Sequence, residues 1–375
     1  MNRRERLLNS LLGKPVDRPC VNFYEVGGFL VDHFDKDEFN VYNSPDWKEI
    51  LDLAENETEI TRFVLSDLIY MDLTKDYLTT KVEIIENKKI YKREIRCKDR
   101  VLTGKYIRER DVDTLWCVEH FFKDVSDIES FLKIPAEAFI SNIDVNSYKK
   151  IEADLGNAGL LMIDISAPVS EIAQMMDMTD FWIFALRKEK ILYKFLDKIS
   201  EILYHKVNFI AKEMPNQLWR IVGPEVVCEP YLPNEMFKEL VIKYTEPMIH
   251  TIKSSGGFAR VHCHGRVKST LPFMVDMGID AIDPLEPLPQ GDVSLLEVRK
   301  EFGKHITLFG NIEACDIENL RPDKFKEIVK QSVYDGTFGE GRGFVLLPSA
   351  SPYGRNLSPY VLENYKAMIE AVNNI

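Results

Sequence analysis

Residues 258–265 read Phe-Ala-Arg-Val-His-Cys-His-Gly, and this stretch indicates how the chain folds. Residues 258–261 form a short run typical of a strand buried on both faces, and a cluster of polar side chains follows directly. Comparable runs occur at residues 159–163, 218–222, 281–282, 306–309 and 344–347. Helical patterns separate them, at residues 191–212, 233–254, 267–277, 295–302, 322–334 and 359–372.

Two further strand candidates lie near the N-terminus, at residues 21–24 and 62–65, and bring the expected number to eight. Eight parallel strands with intervening helices close into a barrel, because right-handed crossovers leave few other arrangements. We therefore predict an α/β fold, a single (β/α)8 TIM-type barrel domain over residues 1–375. An N-terminal helix at residues 3–12, ending before Gly13-Lys14-Pro15, precedes the barrel.

Residues 77–108 follow a different pattern. Residues 80–84 and 90–95 alternate in polarity around a turn at residues 86–89. Such alternation is typical of antiparallel strands with one solvated face. We predict a β-hairpin insertion over residues 77–108, covering one end of the barrel.

The composition limits the classes of partner. The formal net charge of −12 argues against nucleic acid and against anionic membranes, since both require a basic surface. No apolar run is long enough to span a bilayer, and the charged N-terminus does not look like a signal peptide. The six cysteines include no C-x-x-C pair and indicate reduced thiols. These features predict a cytoplasmic protein. A homodimer is compatible with the sequence, which leaves the oligomeric state open.

In a TIM barrel the chemistry lies at the C-terminal ends of the strands. Polar groups gather there, and we assign catalytic roles to Asp67, Asp164 and Glu225 and substrate-binding roles to Tyr24, Asn311 and Ser349. Each of the three acids could instead cap the helix that follows it, and Gly310-Asn311 could be a tight turn without chemistry.

His262 and His264 are the candidate metal ligands. Side chains two residues apart on an extended segment point the same way, so both imidazoles can bind one ion. Catalytic zinc takes about three protein ligands and keeps one position open, and Glu286 in the next loop could be the third. Cys263 would point the other way. The alternative is that the histidines make ordinary hydrogen bonds and that Glu286 only sits on a rigid loop.

These residues resemble the uroporphyrinogen decarboxylase superfamily, whose fold is a distorted β/α barrel. It contains cofactor-free decarboxylases and corrinoid-dependent methyltransferases, including methylcobamide:coenzyme M methyltransferases. The resemblance covers nearly the whole chain outside the hairpin. It is carried by residues 3–8, 13–18, 166–168, 262–265, 277–281, 310–312, 349–352 and 364–365.

The chain departs from the decarboxylase branch. That branch carries arginines after the first strand that hold substrate carboxylates, whereas this chain has Tyr24 and Gly28 at those positions with Glu25 between them. A substrate with many carboxylates needs cationic, preferably bidentate partners. Asp67, in contrast, resembles the decarboxylase aspartate in position.

The chain also modifies the methyltransferase pattern. That branch binds zinc through H-x-C and a later cysteine, but this chain has H-x-H, and Ser349-Ala350-Ser351 near the later position. Histidine and carboxylate ligands make a harder metal centre, suited to polarising an oxygen or nitrogen substituent. The resemblance therefore implies a methyltransferase that moves a methyl group from a small O- or N-methyl substrate to a corrinoid (cobalamin-type) protein, using zinc. The alternatives are a uroporphyrinogen decarboxylase or related carboxy-lyase, and a non-catalytic binding barrel.

Overall fold

A computed structural model describes residues 1–30, 35–65, 68–139 and 143–374. Eight parallel strands form one curled sheet in the order β1-β12-β11-β10-β9-β8-β7-β2, which confirms the predicted barrel. The barrel strands are β1 (Cys20–Val21), β2 (Ile60–Val64), β7 (Gly159–Ser166), β8 (Leu218–Val222), β9 (Phe258–His262), β10 (Ala281–Asp283), β11 (Thr307–Ile312) and β12 (Phe344–Pro348).

The two edge strands of this sheet come together. The backbone N–H of Glu59, just before β2, donates to the carbonyl oxygen of Val21 in β1 at 2.9 Å. The Glu59 carboxylate also accepts the backbone N–H of Val21 at 2.7 Å. This contact brings the first and last strands of the sheet into the same wall of the barrel.

Helices pack around the outside of the sheet. They are α1 (Arg3–Leu12), α2 (Glu25–Gly28), α3 (Pro45–Glu57), α4 (Val125–Phe131), α5 (Val145–Leu155), α6 (Pro168–Met175), α7 (Met178–Leu186), α8 (Lys190–Glu213), α9 (Asn234–Phe237), α10 (Lys243–Ser254), α11 (Leu271–Asp276), α12 (Leu295–Phe302), α13 (Ala314–Asn319), α14 (Pro322–Thr337) and α15 (Val361–Asn373). Helices are present at the predicted helical patterns, whereas seven further helices, six between residues 25 and 186 and one at residues 314–319, were not predicted from the sequence.

Two predicted helices differ from the structure. The helix expected at residues 233–254 is divided: a π-helical turn, Lys238–Ile242, separates α9 from α10. The helix expected at residues 267–277 is only the short α11, because residues before it form turns. Local periodicity shows which face is apolar, but it does not show where a helix changes its hydrogen-bond pattern.

The predicted hairpin insertion is present and is larger than expected. It is an antiparallel sheet of four strands in the order β3-β4-β5-β6. The strands are β3 (Leu78–Ile85), β4 (Lys88–Arg96), β5 (Val101–Glu109) and β6 (Leu115–Glu119). The fourth strand follows a bulge in the pairing near Lys105 and Tyr106, which the alternation in the sequence does not reveal.

The core lies in two places. The larger apolar cluster fills the space between the strands and the surrounding helices, and includes the fully buried Trp219 and Phe195. A smaller cluster, with Met162, Leu218 and Phe309, fills the barrel interior. Burial of apolar surface on both faces of the sheet stabilises this architecture. Among the described helices, none is long and apolar enough to cross a membrane.

Candidate active site

A layer of charged side chains crosses the barrel interior above the apolar cluster. Asp164, Arg220, Arg260 and Asp283 come from the consecutive strands β7, β8, β9 and β10, and all four are buried. The register places Asp164 beside Arg220 and Arg220 beside Arg260 on neighbouring strands. Two guanidinium groups and two carboxylates therefore balance one another in a region that excludes water.

Asp164 forms a bidentate ion pair with Arg220. Both guanidinium-to-carboxylate distances are 2.7 Å, from Nε to Oδ1 and from Nη2 to Oδ2. Asp164 does not cap a helix, because it lies inside β7 and the N-cap of α6 is Ala167. Both carboxylate oxygens are engaged by Arg220, so the predicted catalytic acid acts in this structure as the counterion of a buried arginine.

Tyr24 connects this ion pair to the histidines. Its hydroxyl oxygen accepts a hydrogen bond from Arg220 Nη1 at 2.7 Å and lies 3.4 Å from His262 Nε2. The Tyr24 ring stacks over the His262 ring with 5.8 Å between centroids. Burial raises the pKa of Tyr24, so the hydroxyl keeps its proton and can donate to His262. The residue predicted to bind substrate thus supports an imidazole.

His262 ends β9 and is held from its other nitrogen. Its Nδ1 lies 2.6 Å from Asp283 Oδ2, and the other oxygen of Asp283 accepts from Arg260 Nε at 2.5 Å. Burial lowers the pKa of His262 to about 4, although Asp283 opposes the shift. Burial acts to raise the pKa of Asp283, but its charge interactions and hydrogen bonds with Arg260 and His262 together outweigh burial and hold this pKa well below its usual range. His262 is therefore a neutral imidazole whose Nδ1–H donates to a carboxylate.

His264 has an equivalent carboxylate partner. Its Nδ1 lies 2.8 Å from Glu286 Oε1, and the backbone N–H of Gly265 donates to Glu286 Oε2 at 2.5 Å. Burial acts to lower the pKa of His264, but the hydrogen bond and charge of Glu286 outweigh it and raise this pKa. The rings of His262 and His264 are perpendicular, with 4.5 Å between centroids. The structure therefore brings the two predicted ligands and Glu286 together.

The histidine pair has the chemistry of metal ligands, but no third ligand joins it in this arrangement. Both histidines have a carboxylate on Nδ1, which fixes the tautomer with a lone pair on Nε2. At His262 the Tyr24 hydroxyl lies 3.4 Å from that nitrogen, and an ion would have to replace this contact. Within the described ranges, no three His, Cys, Asp or Glu side chains are grouped so as to hold one ion. Glu286 occupies the position of a group that orients His264. Cys263 points away, as predicted, with its sulfur 3.8 Å from Cys228 Sγ.

Glu225 follows β8 in a tight turn, Pro224–Val227. Gly223 begins this turn at φ 94°, and a Cβ at that position would lie 2.2 Å from Ser170 Oγ, so glycine is required there. Glu225 Oε2 is buried without a hydrogen-bond partner. Burial raises the pKa of Glu225, and His264 is among the charges that act on it. Glu225 thus lies at the same end of the barrel as the histidines.

The other predicted residues are distributed around this centre. Asn311 is buried inside β11, so a tight turn at Gly310-Asn311 is wrong: the strand continues through both residues. Ser349 follows β12, and its hydroxyl donates to Glu313 Oε2 at 3.1 Å. Asp67 lies outside the described residues.

A cavity of about 610 Å³ opens beside His264. Its walls include Glu225, Glu229 and Glu286. Two aromatic rings, Trp182 and Tyr231, complete this side of the cavity and stack on each other with 4.3 Å between centroids. The indole Nε1–H of Trp182 donates to the carbonyl oxygen of Val226 at 3.0 Å, which fixes the stack to the turn that carries Glu225. The volume suits a small molecule.

Sequence reasoning misses several residues of this site. Arg220 and Arg260 are charged residues inside apolar strands, and this signal is visible in the sequence. Glu313 comes two residues after Asn311, and its Oε1 is buried without a partner. Trp182 and Tyr231 carry no signal, because they are far apart in sequence and only the packing of α7 against the loop after β8 joins them.

One solved structure shares the fold of this chain over its whole length. A methyltransferase from Methanosarcina mazei has the same fold with a TM-score of 0.64 and 17% identity, over 100% of this chain and 99% of that one. D-psicose 3-epimerase from Clostridium cellulolyticum H10 aligns at 12% identity and a TM-score of 0.33, covering 68% of this chain and 92% of that one. Muconate lactonizing enzyme from Pseudomonas putida aligns at 12% identity and a TM-score of 0.28, covering 79% of this chain and 76% of that one.

The comparison with curated protein sequences found no match. The family model described as uroporphyrinogen decarboxylase (URO-D) matches residues 118–375, which is more than half of the chain. This range contains six of the eight barrel strands, both histidines and every carboxylate that faces the cavity. The chain therefore belongs to the uroporphyrinogen decarboxylase family.

Proposed function

We propose that this protein is a methyltransferase that moves a methyl group from a small O- or N-methyl substrate to a corrinoid protein. The observation that carries the proposal is the histidine pair: each Nδ1 lies against a carboxylate, and His264 lines a cavity. The full-length fold match to the Methanosarcina mazei methyltransferase supports it.

His262 and His264 would hold a zinc ion, and Glu286 would either complete the ligand set or continue to orient His264. Bound zinc would supply a Lewis acid that polarises the bond between the methyl carbon and its heteroatom. The surrounding residues keep the imidazoles in one tautomer: Asp283 and Glu286 bind the two Nδ1 atoms, and Arg260 fixes Asp283. Such partners maintain ligand geometry and basicity.

The cavity next to His264 would bind the methyl donor. The cavity admits a small molecule, and Glu225 places a carboxylate on its wall. The methyl acceptor must reach the same place. Two side chains nearby are exposed and apolar: Tyr231 lines the cavity, and Leu288 lies in the sequence between Glu286 and Gln290, which also line it. An exposed apolar rim suits the approach of a partner protein.

The decarboxylase alternative is less well supported by the barrel interior. A porphyrinogen with several carboxylates requires free cations, but Arg220 is paired with Asp164 and Arg260 with Asp283. Recruiting Arg220 for a substrate would break a buried ion pair, which costs about 3–5 kcal/mol, and the unpartnered Nη2 of Arg260 is itself buried.

The proposal is tested by metal analysis and by a transfer assay. Protein purified with zinc present should hold one zinc per chain, and His264→Ala should lose it, whereas the exposed Glu327→Gln control on α14 should keep it. A series of methoxy and methylamine compounds should then methylate reduced corrinoid, followed by the visible spectrum as Co(I) becomes methyl-Co(III). Absence of transfer from every donor by zinc-loaded protein would refute the methyltransferase assignment, and zinc-free native protein would refute the metal site.

A further inference from the structure

The cavity beside His264 carries more negative than positive charge. Glu225, Glu229 and Glu286 line it, and Arg266 is the one Lys or Arg side chain among its described lining residues. The Arg266 guanidinium is more than half exposed and lies 3.8 Å from Asp292, so Asp292 already offsets part of its charge. Glu286 is matched by His264.

Glu225 has a carboxylate oxygen that lacks a partner. Its Oε2 is buried and accepts no hydrogen bond from any described residue. Glu229, in contrast, is exposed and accepts hydrogen bonds from Asn234 at 3.3 Å and Ser269 at 3.2 Å. A buried carboxylate without a partner is costly unless a cation or a proton neutralises it.

The aromatic stack provides an independent observation that points to the same ligand class. Trp182 and Tyr231 line the cavity, and Trp182 is tied to the carbonyl oxygen of Val226, the residue after Glu225. The thioether side chain of Met178 lies in the same wall. Aromatic rings bind quaternary and alkylated ammonium groups through cation–π interactions, with tryptophan the strongest.

We infer that this cavity binds a methylated ammonium compound, with the positive nitrogen between Glu225 and the Trp182–Tyr231 stack. The inference rests on the proposed function, because it selects cationic N-methyl compounds from the methyl donors named under that proposal. A quaternary nitrogen has no lone pair to bind zinc, so in transfer from such a donor its own positive charge activates the methyl group: the C–N bond breaks and its electron pair stays on nitrogen. The new bond to the methyl carbon uses the electron pair of the reduced corrinoid, so the cationic donor leaves as a neutral amine.

The test compares two probes of the same shape. Choline carries a trimethylammonium group, and 3,3-dimethylbutan-1-ol carries a neutral tert-butyl group in its place. Isothermal titration of the full-length, zinc-loaded protein should show choline binding at least tenfold more tightly than the neutral probe. Glu225→Gln, which keeps the shape of the side chain, should remove most of this preference, and Glu327→Gln should retain it.

Tyr231→Leu provides a second variant, because it removes one ring of the stack and keeps the hydrogen bond from Trp182 to the turn that carries Glu225. It should weaken choline more than the neutral probe, and circular dichroism should show that the fold is retained. Equal affinity of the two probes for the native protein, or an unchanged preference in Glu225→Gln, would overturn the inference. Loss of zinc from Glu225→Gln as complete as from His264→Ala would also overturn it, because the metal would then be the cation that Glu225 neutralises.

Failure of the proposed function can be distinguished from failure of the ammonium site, since the titration contains no methyl acceptor. Selective choline binding without methyl transfer from any donor would leave the ammonium site standing and refute the methyltransferase. Methyl transfer from a neutral methoxy donor, with equal binding of the two probes, would support the methyltransferase and refute the ammonium site.

Discussion

Loss of the Glu171 proton should lower the free energy of unfolding as the pH rises, and Glu171→Gln should remove this pH dependence. Glu171 lies in α6 with about 1% of its surface exposed. Its Oε2 accepts the backbone N–H of Ile69 at 2.9 Å. Burial raises the pKa of this carboxyl group from 4.5 to about 7, against the hydrogen bond from Ile69 and the charge of Lys206.

The sign follows from proton linkage. Between pH 4.5 and about 7 the folded protein keeps the Glu171 proton while the unfolded chain has lost it. Stability contributed by this proton is therefore complete below pH 4.5 and is lost as the pH rises to about 7. With these two pKa values and about 1.4 kcal/mol per pKa unit, the loss between pH 5 and pH 8 is about 2.5 kcal/mol.

Urea denaturation at pH 5 and pH 8 measures this quantity. Glutamine has nearly the same shape and can still accept the Ile69 N–H, but it does not titrate. The free energy of unfolding of Glu171→Gln relative to the parent should therefore rise by about 2.5 kcal/mol from pH 5 to pH 8. The exposed Glu327→Gln control should not change relative to the parent. A difference for Glu171→Gln that is the same at both pH values within about 0.5 kcal/mol would show that burial does not hold this proton.

Three further predictions concern the active site. Asp164→Ala should lower the free energy of unfolding by about 3–5 kcal/mol in urea denaturation, because it leaves Arg220 buried without its counterion. Asp164→Leu combined with Arg220→Met should recover most of this loss. A double variant as unstable as the single one would contradict the ion-pair explanation. Uroporphyrinogen should not be decarboxylated at rates typical of enzymes, about 1 per second or more, and product analysis showing such turnover would refute the assignment away from the decarboxylases. Glu286→Gln should weaken zinc binding about 10–100-fold if Glu286 orients His264, whereas zinc affinity equal to that of the native protein in a competition titration would exclude both an orienting and a ligand role.

The sequence by itself determined the barrel and the position of the candidate site. Buried strands are short apolar runs, and the turns after them are polar, so strand order and the C-terminal ends can be read from local patterns. His262, His264 and Glu286 were placed together in this way, since side chains two residues apart and consecutive strands in a parallel sheet are neighbours by geometry. The hairpin insertion was visible from its alternation, although its fourth strand was not.

Only the tertiary structure decided which groups pair. Asp164, a predicted catalytic acid, forms an ion pair with Arg220, and Glu286 forms a hydrogen bond with His264. A buried charge binds the nearest opposite charge or donor that the neighbouring strand supplies. Glu225 alone among the predicted site carboxylates in the described part of the chain has a buried oxygen without a partner. The aromatic stack beside it joins residues 49 positions apart, Trp182 and Tyr231, whose contact depends on how a helix packs against a loop. Periodicity reports which face of an element is buried, and it carries no information about the partner found there.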